Sequence, residues 1–183
     1  MEKKLYTVTV FSENQVGLLN QITIVFTRRS INIETLSVSP SAIPGIHKFT
    51  ITVYADKDMI EKVVKQIDKR IDILKAYYNV DEELVHQEIA LYKISSKKIL
   101  GRGAFEDLIR KHHLQVLELN EHYVVFQKTG HHNETQQCFD ELQASTGVLQ
   151  FIRSGRVAIT KSKIERLSDM LEYMEEKRKQ SLK

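Results

Sequence analysis

Residues 6–29 read YTVTVFSENQVGLLNQITIVFTRR, and the way this stretch changes period decides the fold. Tyr6, Val8 and Val10 alternate with Thr7 and Thr9, the period of a half-buried strand. After the polar stretch SENQVG, Leu18, Leu19, Ile22, Val25 and Phe26 recur every three or four residues, and Arg28-Arg29 supply positive charge near the end of the expected helix. Working outward, Ile31 and Ile33 have the opposite parity from Leu36 and Val38, so a second strand is expected with a bulge near Glu34-Thr35, stopping at Pro40. The loop SPSAIPG leads to Phe49, Ile51 and Val53 alternating with Thr50 and Thr52, a third strand. Asp56 is placed to cap a helix carrying Ile60, Val63, Val64 and Ile67, and IDILKAYYNV supplies a fourth strand. The order βαββαβ predicts an α+β, ferredoxin-like domain over residues 1–80, with two helices on one face of an antiparallel sheet.

After an acidic linker at 81–87 the order begins again more weakly. EIALYKI reads as a strand, Phe105, Leu108 and Ile109 as a helix, and LQVLEL and YVVFQK as strands. A helix with Thr135, Cys138, Phe139 and Leu142 and the strand region GVLQFIRSGRVAIT complete a second ferredoxin-like βαββαβ domain, placed at 88–161. A charged helical tail is expected over 162–183, with Ile164, Leu167, Met170, Leu171 and Met174 on one stripe that docks on its own domain or on a partner. The apolar share of 42% supports folded cores, and the net charge of +3 does not call for a polyanion, so no nucleic-acid partner is expected. No apolar run approaches the ~18 residues of a membrane span, and MEKKLYTVTVF enters a strand without a signal-peptide pattern, so the expected location is cytoplasmic with no membrane contact. The single cysteine, Cys138, falls on an apolar helix face and reads as a buried structural thiol.

The chain carries no Walker A loop, GxSxG elbow, HExxH, paired CxxC or GxGxxG fingerprint, and no catalytic residue is assigned. His112-His113 and His131-His132 are expected to be surface histidines rather than metal ligands, because adjacent side chains point apart and no second pair has ligand spacing; no metal site is assigned. Gly101-Arg102-Gly103 is too common a helix-entry loop to specify an anion site. More informative is SENQVGLLNQI, where a polar loop runs straight into a helix. Leading helical N–H groups lack internal partners and the macrodipole is positive there, which suits the carboxylate of an amino acid. Gly17 permits close approach of a ligand or a neighbouring backbone, and Asn14 is able to accept from an ammonium group or donate to a carboxylate.

The stretch ENQVGLLNQITIVFTRRSINIETLSVSP closely resembles the opening of acetolactate (acetohydroxyacid) synthase small regulatory subunits, whose pattern is ENxxGxLxxxxxxFxxRxxNIExLxVxP. Glu13, Asn14, Gly17, Leu19, Phe26, Arg29, Asn32, Ile33, Glu34, Leu36, Val38 and Pro40 fall on it at matching spacing. The resemblance implies an N-terminal ACT domain that senses a branched-chain amino acid, usually valine, followed by a second ferredoxin-like domain. It implies a homodimer with the effector bound between two ACT domains, at Asn14, Gly17 and Asn32, to which Leu18 and Ile33 are added as adjacent apolar groups. It implies a catalytic large subunit that this non-catalytic chain activates and renders sensitive to feedback. Thiamine diphosphate, magnesium and FAD belong to that partner, and no cofactor is expected in this chain. The charged extension from about Lys161 to Lys183 departs from shorter relatives. An ACT-domain sensor serving another enzyme or a transcription factor is the alternative. An RNA-recognition module would need glycine-spaced aromatics that HKFTITVY lacks, and an acylphosphatase-type site would need an arginine that SENQVG lacks.

Overall fold

The computed structural model describes residues 3–99, 104–163, 167–168 and 171–172. They form two compact units, one of Met1–Val85 with the described residues from Arg156 onward, the other of His86–Gly155. In the first, β1 (Lys4–Glu13), α1 (Leu18–Thr27), β2 (Ile33–Pro40), β3 (Ile46–Ala55), α2 (Lys57–Asp68) and β4 (Ile73–Asn79) follow one another. The sheet order is β2-β3-β1-β4, all antiparallel neighbours. Tyr6, Val8 and Val10 of β1 and Phe49, Ile51 and Val53 of β3 meet Leu18, Ile22, Val25 and Phe26 of α1 and Ile60, Val63, Val64 and Ile67 of α2 in one buried core. The Asp56 side chain caps α2, accepting from the Met59 N–H at 2.8 Å.

The parity break in β2 is a bulge between Ile33 and Thr35, which leaves Ile33 and Leu36 both packed on the core. The strand stops at Pro40, its last residue, which still lies opposite His47. A strand end on a sheet edge tolerates a residue with no N–H to donate.

The second unit repeats the order with β5 (Leu84–Ser95), a short turn of helix α3 (Ser96–Ile99), α4 (Ala104–His112), β6 (Gln115–Leu119), β7 (Tyr123–Gly130), α5 (His132–Ser145) and β8 (Gln150–Arg153). Its strand order β6-β7-β5-β8 matches that of the first unit. Tyr92, Ile94, Val124, Phe126, Cys138 and Leu142 are buried in its core, with Phe105, Leu108, Ile109 and Phe139 packed against them. Cys138 is fully buried, and burial pushes its thiol up from the usual range. Tyr92 donates its hydroxyl to the Thr135 carbonyl at 2.8 Å, satisfying a polar tip inside the core.

Three expectations are refined. The segment at 81–87, expected as a linker, holds the boundary between the two units, between Val85 and His86, and is ordered as a 3-10 turn at Asp81–Glu83 that runs directly into β5. Residues 156–161, expected in the second domain, are grouped with the first unit through Arg156, whose buried guanidinium donates to Asp81 Oδ1 at 2.5 Å and Thr7 Oγ1 at 2.9 Å, while the strand that follows it pairs β5. Behind Arg156, β9 (Val157–Thr160) is held by Lys48 Nζ, which donates to the Ala158 carbonyl at 3.2 Å, and the Lys161 N–H donates to the Glu83 carbonyl at 2.9 Å. Finally, the threonine face of β1 is not half-exposed: Thr7, Thr9, Thr50 and Thr52 are all buried on the side of the sheet opposite α1 and α2. Phe11 and Tyr77 lie on that same side and are packed by Leu167, so part of the expected tail stripe docks on its own domain. Ile164, Met170 and Met174 lie outside the described residues, as do Gly101, Arg102 and Gly103.

Candidate functional site

The loop from β1 to α1 stands at one end of the first sheet. Gly17 occupies the N-cap of α1 with φ 86° and ψ −9°, left-handed geometry that disfavours any side chain at this position. An added Cβ would meet nothing within 4 Å, so it is the backbone conformation, not crowding, that selects glycine here. Close approach of a neighbour within the chain is therefore not what Gly17 serves. No side chain caps α1, and no acidic residue stands in its first turn; the Leu18 N–H donates to the Gln15 carbonyl at 3.4 Å, and the next N–H groups, of Leu19 and Asn20, are the ones available to an outside acceptor. α2, by contrast, is closed by Asp56.

Asn14 is exposed, and its backbone N–H donates to the Gly45 carbonyl at 3.1 Å, tying the loop to the turn before β3. Leu18 is 2% exposed and belongs to the core with Ile22, so its side chain is committed to packing and is not presented to a ligand. The apolar groups that do face outward are Val16, fully exposed, and Leu19 at 45%. The helical period carried the signal: Leu19, one step from the core position Leu18, is turned about 100° away from it.

Asn32 and Ile33 lie elsewhere. β2 begins at Ile33 opposite Val53, whereas Glu13 at the end of β1 lies opposite Ile46, so Asn32 and Asn14 sit at opposite ends of the same sheet. The length of α1 separates them, about 15 Å for a ten-residue helix. Asn32 is exposed, with its amide donating to Glu34 Oε1 at 3.1 Å, and Ile33 is half-buried against the core. The structure therefore brings Asn14 and Gly17 together at one end and Asn32 and Ile33 together at the other. β2 is an edge strand, with β3 as its partner within the sheet.

The histidine pairs divide differently from expectation. His112 is 8% exposed rather than a surface residue, with Nε2 at 3.3 Å from Glu141 Oε2. Burial holds its pKa below the usual histidine value, partly opposed by the Glu141 charge. His113 is exposed in a left-handed conformation. His131 and His132 are exposed, and His132 Nδ1 is 3.6 Å from the buried Glu88 carboxylate, which also accepts from Thr135 and lies 3.4 Å from Arg153 Nε. These contacts neutralise one buried charge. Among the described residues no group of three or more His, Cys, Asp or Glu is placed to hold a metal ion, and no helix is long and apolar enough to cross a membrane.

Two family models of one kind match consecutive parts of the chain. A model of the small-subunit-like ACT domain of acetohydroxyacid synthase matches residues 8–75, and a model of the small subunit of acetolactate synthase matches 87–162. The acetolactate synthase small subunit of Bacillus subtilis is 29% identical over 167 residues, covering 91% of this chain and 95% of that protein. The small subunit of Haemophilus influenzae is 27% identical over 157 residues, covering 84% of this chain and 93% of that one. In fold, the crystal structure of the acetolactate synthase small subunit from Thermotoga maritima superposes with a TM-score of 0.77 at 22% identity, covering 88% of this chain and 99% of that chain. With an ACT domain first, a second ferredoxin-like unit after it and relatives matched over nearly their whole length, the chain belongs to the acetolactate synthase small-subunit family.

Proposed function

We propose that this chain is the regulatory subunit of acetolactate synthase, and that it binds a branched-chain amino acid, valine or else leucine or isoleucine, at a site completed by two copies of its ACT domain. The observation that carries this reading is the separation of Asn14 and Gly17 from Asn32 and Ile33 by the length of α1. One chain cannot close all four around one small ligand. Two chains can. If β2 pairs with β2 of a second copy, the antiparallel arrangement carries the partner subunit's Asn32 and Ile33 to the end of the sheet where Asn14 and Gly17 stand. The uncapped α1 N-terminus then receives the carboxylate, and the asparagines serve its polar groups. Val16 and Leu19 are the exposed apolar groups beside it. The chain activates a catalytic large subunit and transmits effector binding to it as feedback inhibition. Thiamine diphosphate, magnesium and FAD belong to that large subunit, and the complex is cytoplasmic.

The test is a valine titration of synthase reconstituted from this chain and its catalytic subunit, run for wild type, Gly17→Asp and Gly17→Ala beside a thermal melt of each free variant. Ala carries at least as much left-handed backbone strain as Asp, and only Asp adds a carboxylate where the ligand's own is received. Loss of inhibition in Gly17→Asp, with activation kept and with inhibition kept in Gly17→Ala, is the expected result. Unchanged valine sensitivity in folded Gly17→Asp would remove the helix terminus from the site.

A further inference from the structure

We infer that Leu167 is a positioning residue for the effector loop: from the far side of the first sheet it supports the turn at 41–46, whose Gly45 carbonyl holds Asn14. This rests on the proposed effector site and extends it to the C-terminal segment. Leu167 is 1% exposed and packs with buried Phe11 and Tyr77, with Ile43, Ile46, Leu74 and Leu171 around them. Ile43 and Ile46 flank Gly45, which accepts the Asn14 N–H at 3.1 Å. The turn is closed on itself. The Ser41 N–H donates to the Ile46 carbonyl at 2.8 Å, the Ile46 N–H to the Ile43 carbonyl at 3.1 Å, and the Ile43 N–H to Ser41 Oγ at 3.1 Å. A unit bonded in this way moves as one piece, so a shift under Ile43 and Ile46 is passed to the Gly45 carbonyl.

Phe11 provides a second route. It stands three residues before Asn14, and β1 changes register against β4 between Phe11 and Ser12, so regular pairing with β4 is interrupted close to the loop. Side-chain packing beneath Phe11 does there what the ladder does elsewhere. Leu167 thus belongs to the same packed group as both supports of the loop, a group that includes none of Asn14, Gly17, Asn32 or Ile33. A residue remote from a ligand alters its affinity when it biases packed elements that the ligand also needs in place.

The experiment compares Leu167→Ala, Leu167→Met and Ile60→Ala in the full chain. Ile60 is a fully buried core residue of α2 near the other end of the sheet, so Ile60→Ala loosens the same domain without touching the turn. Two readouts are taken: the concentration of L-valine, L-leucine or L-isoleucine that half-inhibits reconstituted synthase, and hydrogen exchange at the Asn14 amide without effector. Leu167→Ala should raise the half-inhibitory concentration by about tenfold, within the range such remote residues produce, with maximal activation unchanged. It should also speed exchange at Asn14, while Leu167→Met restores both and Ile60→Ala changes neither beyond its effect on the melt. A folded Leu167→Ala with wild-type inhibition and wild-type exchange at Asn14 would overturn the inference, as would an equal shift in Ile60→Ala. If wild type responds to none of the three amino acids, the effector reading fails instead, and exchange at Asn14 still decides whether Leu167 positions the loop.

Discussion

The two units are built from the same word order and the same strand order, yet one sheet is closed on both faces and the other on one. In the first unit α1 and α2 cover Val8, Val10 and Ile51, and the opposite face, with Thr7, Thr9, Thr50 and Thr52, is buried as well. In the second unit α4 and α5 cover Tyr92, Ile94, Val124 and Phe126, while Ile89, Gln150 and Ile152 on the opposite face stay exposed. Alternation along a strand fixes which residues share a face. It does not say whether a face meets solvent. The lesson is that threonine, polar enough for water and small enough for a packed interior, suits either outcome, and a segment more than a hundred residues away decides between them.

A charge placed on each sheet's second face tests this difference most severely. Thr9→Lys, at a site 4% exposed, should cost about 3 kcal/mol or more by burying an unpaired charge, while Ile152→Lys, at 52%, should stay within about 0.5 kcal/mol. Denaturant unfolding of both variants reads the contrast. Equal costs would mean that the second sheet's open face is also covered in solution.

The two helix starts give a smaller contrast of the same kind. Gly17→Ala should destabilise by about 1 kcal/mol, through left-handed strain in open space. Asp56→Ala should cost a similar amount, about 1 kcal/mol, for the opposite reason: a lost hydrogen bond to the Met59 N–H with no strain. The thermal melt sizes both losses, and the nature of each is separated by Gly17→Asn, which tolerates left-handed geometry and should recover part of the loss. No such recovery would put the cost of Gly17→Ala somewhere other than its backbone angle.

The smallest expected effect belongs to the second unit alone. Burial holds the His112 pKa below its usual 6.5, with Lys111 and Lys128 lowering it further and Glu141 opposing. The unfolded chain therefore binds the proton more readily. The contribution is fully present above about pH 6.5 and is lost as pH falls through the lower folded value. Stability measured from pH 7.5 to 5 should decline in wild type and less in His112→Gln, and identical slopes would show that His112 does not carry the dependence.

Much of the candidate site was legible because its elements are local. The period change in 6–29 placed the loop and the helix start, and the parity break placed the bulge after Ile33. Leu18 was misread because it adjoins Gly17 in sequence, whereas helical geometry turns it inward and leaves Leu19 outside, with Val16 exposed in the loop before the helix. His112 was misread because a charged-looking run, RKHH, hides a position on the core side of α4.

By itself the sequence determined the two βαββαβ units, the caps and turns that bound their elements, and the family motif from Glu13 to Pro40. These follow from periods of two and 3.6 and from the side-chain preferences of single positions, all within a few residues of each other. Only the tertiary structure decided that Asn14 and Asn32 stand at opposite ends of one sheet, that Arg156 pairs with Asp81 beside Thr7, and that Leu167 lies under Phe11. The reason is physical. A strand's direction within its sheet and the covering of its second face are set by contacts between residues far apart in sequence, and no local period encodes which distant segment will fill a given face.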